Sequence, residues 1–99
     1  MTSVRVSAAA RDDLRTIRIY SKRTFGVPVA KEYMAGLRRT FAFLRKHPLA
    51  GAASDEVMGD IRSFTYRSHS LFYRDAEDHI EIVRILHYAR DVPRAFGRR

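Results

Sequence analysis

Residues 61–91 read IRSFTYRSHSLFYRDAEDHIEIVRILHYARD, and the division of this stretch decides the architecture. Three runs stand out: 61–68, with Phe64 and Tyr66 in alternation; 71–75, with Leu71 and Tyr73; and 79–88, dominated by Ile and Val. Alternation with period two predicts strands, and branched or aromatic side chains suit a pleated, half-buried surface. Asp75-Ala76-Glu77-Asp78 is a polar turn, so the runs on either side are predicted to form a hairpin. Consecutive strands joined by short turns pair antiparallel.

Upstream, Val4 and Val6 alternate with Arg5 and Ser7, which predicts a short strand. Ser7 suits a helix N-cap, with Asp12 and Asp13 near the positive end of that helix. Ala10, Leu14, Ile17 and Tyr20 recur at helical spacing, and Gly26 is placed to end the helix. Pro28 fits the first turn of a second helix. Ala30, Tyr33, Met34, Leu37, Phe41 and Leu44 form its apolar stripe, and His47-Pro48 closes it. Residues 48–60, PLAGAASDEVMGD, read as a loop whose only charges are Asp55, Glu56 and Asp60. The order is β-α-α-β-β-β. It predicts a single α+β domain over residues 1–99: a helical hairpin at about 8–47 on one face of an antiparallel sheet at about 61–88, then a basic tail at 90–99. The other sheet face is expected to stay open to solvent or a partner.

A chain of 99 residues supports one small core. With no Cys, disulfides and thiolate metal sites are excluded, and the absence fits a reducing compartment. No run approaches the ~20 apolar residues of a membrane span, and the N-terminal MTSVRVSAAARDDLR lacks a signal-peptide core. A soluble cytoplasmic protein with no membrane contact is expected. The formal charge is +8, and 16 of 19 basic residues are Arg. Such a balance either favours polyanionic partners or only solvates the surface.

With AARDDLRTIRIY on the first helix, FGVPVAKEYMAGLRRTFAFLRKHPLAG through the second, then IRSFTYRSHSLFYR and IEIVRILHYARD, the chain resembles the RelE/ParE superfamily of bacterial toxins, and within it the ParE branch. The resemblance covers nearly the whole chain; SHSLFYR followed by RILHYARD carries most of its specificity. It implies a type II toxin–antitoxin system, with a cognate acidic, ParD-like antitoxin that wraps the toxin and reaches operator DNA through its own DNA-binding half. ParE-like members are inhibitors of DNA gyrase, and RelE-like members are ribosome-dependent mRNA endonucleases; one fold serves both, so fold alone does not choose.

Metal-free RNA cleavage needs a base, an acid and cations on the phosphate. His87 and Tyr88 are the acid–base candidates, and Arg67, Arg84 and Arg90 the phosphate holders. Strict alternation opposes this set: Arg84, Leu86 and Tyr88 share a face with Ile80 and Ile82, whereas Val83, Ile85 and His87 share the other. A bulge near Arg84 would reset that register. The acidic 48–60 loop stands where RelE-like nucleases are basic, and carboxylates there repel phosphate. His69 reads as a residue of the connection between two strands, His47 as a cation at a helix end, and Asp91 as a turn or cap residue. No catalytic residue, cofactor or metal is therefore expected. The resemblance places target contacts toward the C-terminus, at Arg90, Arg94, Phe96, Arg98 and Arg99. An acidic amphipathic antitoxin is expected to lay apolar anchors on Leu14, Ile17, Tyr20, Tyr33, Leu37 and Phe41 and carboxylates on Arg62 and Arg74.

Overall fold

The computed structural model describes residues 3–53, 60–87 and 91. Its elements are β1 (Ser3–Val6), α1 (Ala8–Phe25), α2 (Val27–Lys46), β2 (Ala52–Ala53), β3 (Ile61–Tyr66), β4 (His69–Asp75) and β5 (His79–His87). Ser7 caps α1, its side chain accepting from the Ala10 N–H at 3.0 Å. Gly26, at φ +91°, makes the sharp link into α2; at this left-handed angle a side chain is strained. Pro28 lies in the first turn of α2 and His47 caps its end.

The sheet runs β1-β5-β4-β3-β2. The three strands of the 61–91 stretch pair antiparallel, as expected. β1 adds to the edge in parallel, Val4 beside Ile80 and Val6 beside Ile82, which makes the sheet mixed. The intervening helices supply the crossover that a parallel pair requires. Two further features depart from expectation. Ala52–Ala53, inside the predicted loop, pairs with Ser63 and Arg62 as a fifth strand. His69 opens β4 opposite Tyr66 and so belongs to the strand, leaving only Arg67 and Ser68 as the connection.

The helical hairpin lies on one face of the sheet, where Ile17, Leu37, Leu44, Leu71, Tyr73, Ile80, Ile82 and Ile85 form the main core. Each aliphatic side chain fully buried there contributes about 1.5–3 kcal/mol. The opposite face is not open: Ile61, Phe72 and Leu86 are buried on it with Val83 packed against them. The reason Ile85 joins Ile80 and Ile82 while Leu86 does not is a β-bulge. Phe72 faces Arg84 but Tyr73 faces Ile82, so Val83 is an extra residue in β5. Strict alternation assigned Leu86 to the face of Ile80 and Ile82; the bulge moves it to the other side.

Tyr73 ties the sheet to the exit of α2. Its ring is fully buried, and its hydroxyl donates to the Pro48 carbonyl at 2.7 Å and accepts from the Gly51 N–H at 2.8 Å. Burial raises the phenol pKa above its ordinary value, the Gly51 hydrogen bond opposing this. A raised folded pKa gives stability that is complete below about pH 10 and is lost as pH rises through the folded value. Tyr73→Phe should cost about 1–3 kcal/mol at pH 7, because two backbone groups lose their partner. It should also lose less stability than the parent when the pH is raised past about 10. Urea unfolding at both pH values measures the two effects, and equal alkaline losses in the two proteins would contradict the assignment.

Candidate functional site

β1 pairs with β5 only as far as Ile82, and from there Ser7 and Asp13, at the cap and in the early turns of α1, supply partners to the β5 backbone around the bulge. Ser7 donates from its N–H to the Ile82 carbonyl at 3.0 Å and from its hydroxyl to the Val83 carbonyl at 2.8 Å. Asp13 accepts the Ile85 N–H at 2.9 Å and the Nε and Nη2 donors of the Arg84 guanidinium at 2.8 and 3.0 Å. This fork is partly buried, and Asp13 raises the Arg84 pKa against the opposing cost of desolvation. A planar guanidinium suits a bidentate carboxylate, so the pair fixes direction as well as charge.

Beyond the bulge the helix-side face continues into His87, which lies opposite His69, their ring centroids 5.7 Å apart. His69 reaches α2 through a 2.7 Å hydrogen bond between its Nδ1 and the Tyr33 hydroxyl. The Tyr33 hydroxyl also stands 3.5 Å from the Tyr66 carbonyl. It can therefore donate to an unprotonated Nδ1, or accept from a protonated one and donate to Tyr66 instead. Burial, the largest cause, raises the Tyr33 pKa and keeps the phenol neutral. Tyr66 packs edge-to-face on Tyr33, and its ring fills the space that a Cβ would need at Gly36, so the glycine lets the ring lie against α2.

Asp13, Arg84, Tyr33, His69 and His87 line a cleft of about 940 Å³. Its walls are Ile17, Tyr20 and Phe25 of α1, Val29 and Tyr33 of α2, and Ile85 and Leu86 of β5; Arg67, Ser68, His69, His87 and Asp91 close its polar end. Tyr20 and Phe25 leave roughly half their surface free, 52% and 59%. Arg67 stands at φ +53° in the β3–β4 turn, its guanidinium carbon 5.6 Å from the Tyr66 ring centroid.

Of the residues expected to hold phosphate, Arg67 and Arg84 do line this cleft together with His87, but the charge of Arg84 is taken up by Asp13. Tyr88, Arg90, Arg94, Phe96, Arg98 and Arg99 lie outside the described residues, as do Asp55 and Glu56. Of the expected antitoxin contacts, Ile17, Tyr20 and Tyr33 line the cleft. Leu14 packs against the core, and Leu37 and Phe41 are inside it, 0% and 9% exposed, so neither of the last two offers a surface to a partner. Arg62 donates to the Gly51 carbonyl at 2.7 Å, and Arg74 bridges Asp60 and Glu81, so both arginines already serve the chain's own sheet. Asp60, the described part of the acidic loop, is thus engaged with Arg74. Among the described residues no cluster of three His, Cys, Asp or Glu could hold a metal, and no helix is long and apolar enough to cross a membrane.

Sequence reasoning missed the roles of Asp13, His69, Phe25 and Val29. Asp13 had a signal: it lies four residues before Ile17, on the buried side of α1, where an unpaired carboxylate is costly.

The chain matches the family described as ParE toxin of type II toxin-antitoxin system, parDE, over residues 4–92. It is 31% identical to Toxin ParE1 of Caulobacter vibrioides over 97 residues, covering 98% of this chain and 100% of that toxin. It is 34% identical to Toxin ParE1 of Mycobacterium tuberculosis over 90 residues, covering 90% of this chain and 92% of that toxin. Among solved structures it is similar to a chain of the chromosomal ParDE system from P. aeruginosa, with TM-score 0.77, 22% identity and coverage of 88% of this chain and 96% of that one. It is also similar to a chain of the toxin–antitoxin complex RelBE2 from M. tuberculosis, with TM-score 0.62, 25% identity and coverage of 87% and 96%.

Asp13→Ala should cost about 2–3 kcal/mol, because it leaves a charged guanidinium and a backbone N–H of the bulge without their carboxylate. Asp12→Ala removes only an exposed pair with Arg15 and should change stability by less than about 1 kcal/mol. Denaturant unfolding of both variants checks the contrast. Equal effects would mean that Asp13 does not anchor the bulge.

Proposed function

Because the chain belongs to the ParE toxin family of type II toxin–antitoxin systems, we propose that it acts by binding, as an inhibitor of DNA gyrase, and that a cognate acidic ParD-like antitoxin neutralises it. The observation that carries this reading is the state of the cleft: its walls are apolar and half-open, and the cation at its base, Arg84, is paired with Asp13. A surface of that kind accommodates an amphipathic polypeptide segment better than a phosphate undergoing cleavage. In this reading the antitoxin lays apolar side chains against Ile17, Tyr20 and Tyr33 and brings a carboxylate to Arg67. The tail residues Arg90, Arg94, Phe96, Arg98 and Arg99, four of them basic, engage the gyrase target. An antitoxin partner also agrees with the solved structures that the chain resembles, which come from toxin–antitoxin systems.

One observation favours a second reading, a ribosome-dependent mRNA endonuclease. Tyr33 is hydrogen-bonded to His69, His69 stands edge-to-face with His87, and Arg67 lines the same cleft, so a phenol, two imidazoles and a cation lie together.

The deciding experiment is a supercoiling assay with purified gyrase. The full chain should inhibit, and a chain lacking residues 92–99 should not, while both still bind the antitoxin. Supercoiling that proceeds undisturbed at high toxin excess would overturn gyrase as the target. Cut message on programmed ribosomes, abolished by His69→Ala or His87→Ala, would replace the proposal with the second reading.

A further inference from the structure

The charge of this chain is concentrated on one part of the fold. Residues 8–46, the helical hairpin, hold ten Arg and Lys against three Asp and Glu, a balance of +7 within a formal net charge of +8. All three carboxylates are engaged: Asp12 with Arg15, Asp13 with Arg84, and Glu32 with Arg39. Away from the cleft, and sharing no residue with it, Arg18 and Lys22 of α1 face Lys31 and Arg38 of α2 across a groove of about 240 Å³. All four cations are exposed. Among the described residues none of them has a carboxylate within ion-pair distance, and no carboxylate lines the groove.

The floor separates two kinds of polyanion. It consists of Val27, Ala30 and Met34; Val27 is 49% exposed, but Ala30 and Met34 are 2% and 8% exposed, so an amphipathic acidic peptide would find one apolar anchor point and not the repeated ones it needs. What the groove offers is positive charge on two walls. Arg18 and Lys22 are one helical turn apart, about 6 Å along the axis, and Lys31 and Arg38 two turns apart, about 10 Å. The partner that gains most from such an array is the one of highest linear charge density. Duplex DNA carries a charge for every ~1.7 Å of its length, and its neutralisation releases condensed counterions.

We propose that the outer groove of the helical hairpin docks the sugar–phosphate backbone of duplex DNA, without reading base sequence, through Arg18, Lys22, Lys31 and Arg38. This surface is distinct from the cleft and the tail, and its existence does not depend on gyrase being the target. It gives the toxin a means of remaining on DNA when a DNA-bound complex is what it meets.

Fluorescence anisotropy of a labelled 20-base-pair duplex with the full chain, titrated from 50 to 200 mM salt, tests this. Four phosphate contacts predict a slope of log Kobs against log salt near about −3.6. Lys22→Gln combined with Lys31→Gln should reduce the magnitude of that slope by about 1.8 and weaken binding more than tenfold at ~0.1 M salt. Arg5→Gln combined with Lys46→Gln removes the same net charge elsewhere on the exposed surface and should leave the slope unchanged. Equal losses from the two pairs would show diffuse attraction and no docking groove. Tighter binding of poly-glutamate or of single-stranded RNA than of the duplex, at equal salt, would assign the groove to another partner. Absence of binding by the parent chain at 50 mM salt would also overturn the proposal.

Discussion

The carboxylate of Asp13 is the constraint on which the working end of this fold depends. A bulge at Val83 shifts the pleat of β5 by one residue, and such a shift is stable only if the displaced backbone groups find partners. Asp13 satisfies the Ile85 N–H and the Arg84 guanidinium together, and Ser7 takes the Val83 carbonyl. Both residues lie at the start of α1, so the register of the last strand is set by the entry of the first helix. With this register Ile85 completes the core and His87 faces His69. Without it, alternation would send Ile85 and His87 to the other side and place Leu86 in the core.

The same interaction settles the electrostatics of the cleft. A free guanidinium below a pair of histidines would be a fitting phosphate holder. A guanidinium forked onto a carboxylate presents little net charge, and its five donors are already partly used. Positive charge instead lies at Arg67, at the cleft's polar end, and outside the cleft on the outer wall of the hairpin.

The hairpin and the three consecutive strands were legible because their signals are local. Ser7, Gly26, Pro28 and His47 mark helix ends by capping chemistry, and the stripe from Ala30 to Leu44 has one period. The parallel pairing of β1 was not legible, since it depends on a partner 76 positions away, as at Val4 and Ile80. The two-residue strand at Ala52–Ala53 carries no β-forming side chain and exists only because β3 lies beside it. The bulge was legible as an option but not as a fact: nothing in VRIL differs from a regular strand until Asp13 is brought against it. Leu37 and Phe41 illustrate the opposite limit. An apolar stripe says that a helix face is covered, but not whether the cover is the chain's own sheet or another protein, and here it is the sheet.

Arg67 shows where the fold gives up stability. It occupies φ +53° in a two-residue hairpin turn, a conformation that glycine adopts freely and that costs a side-chain-bearing residue about 1–2 kcal/mol. The surrounding structure holds it there in stages. Gly36 admits the Tyr66 ring against α2, Tyr66 packs on Tyr33, and the Arg67 guanidinium lies over Tyr66. A cation held this way over an aromatic face recovers about 0.5–1 kcal/mol at an exposed site, less than or at most comparable to the backbone cost. Packing alone therefore gives no reason for an arginine in place of glycine. What the arginine adds is a positive charge at the polar end of the cleft, beside Ser68, His69, His87 and Asp91, where glycine would supply none.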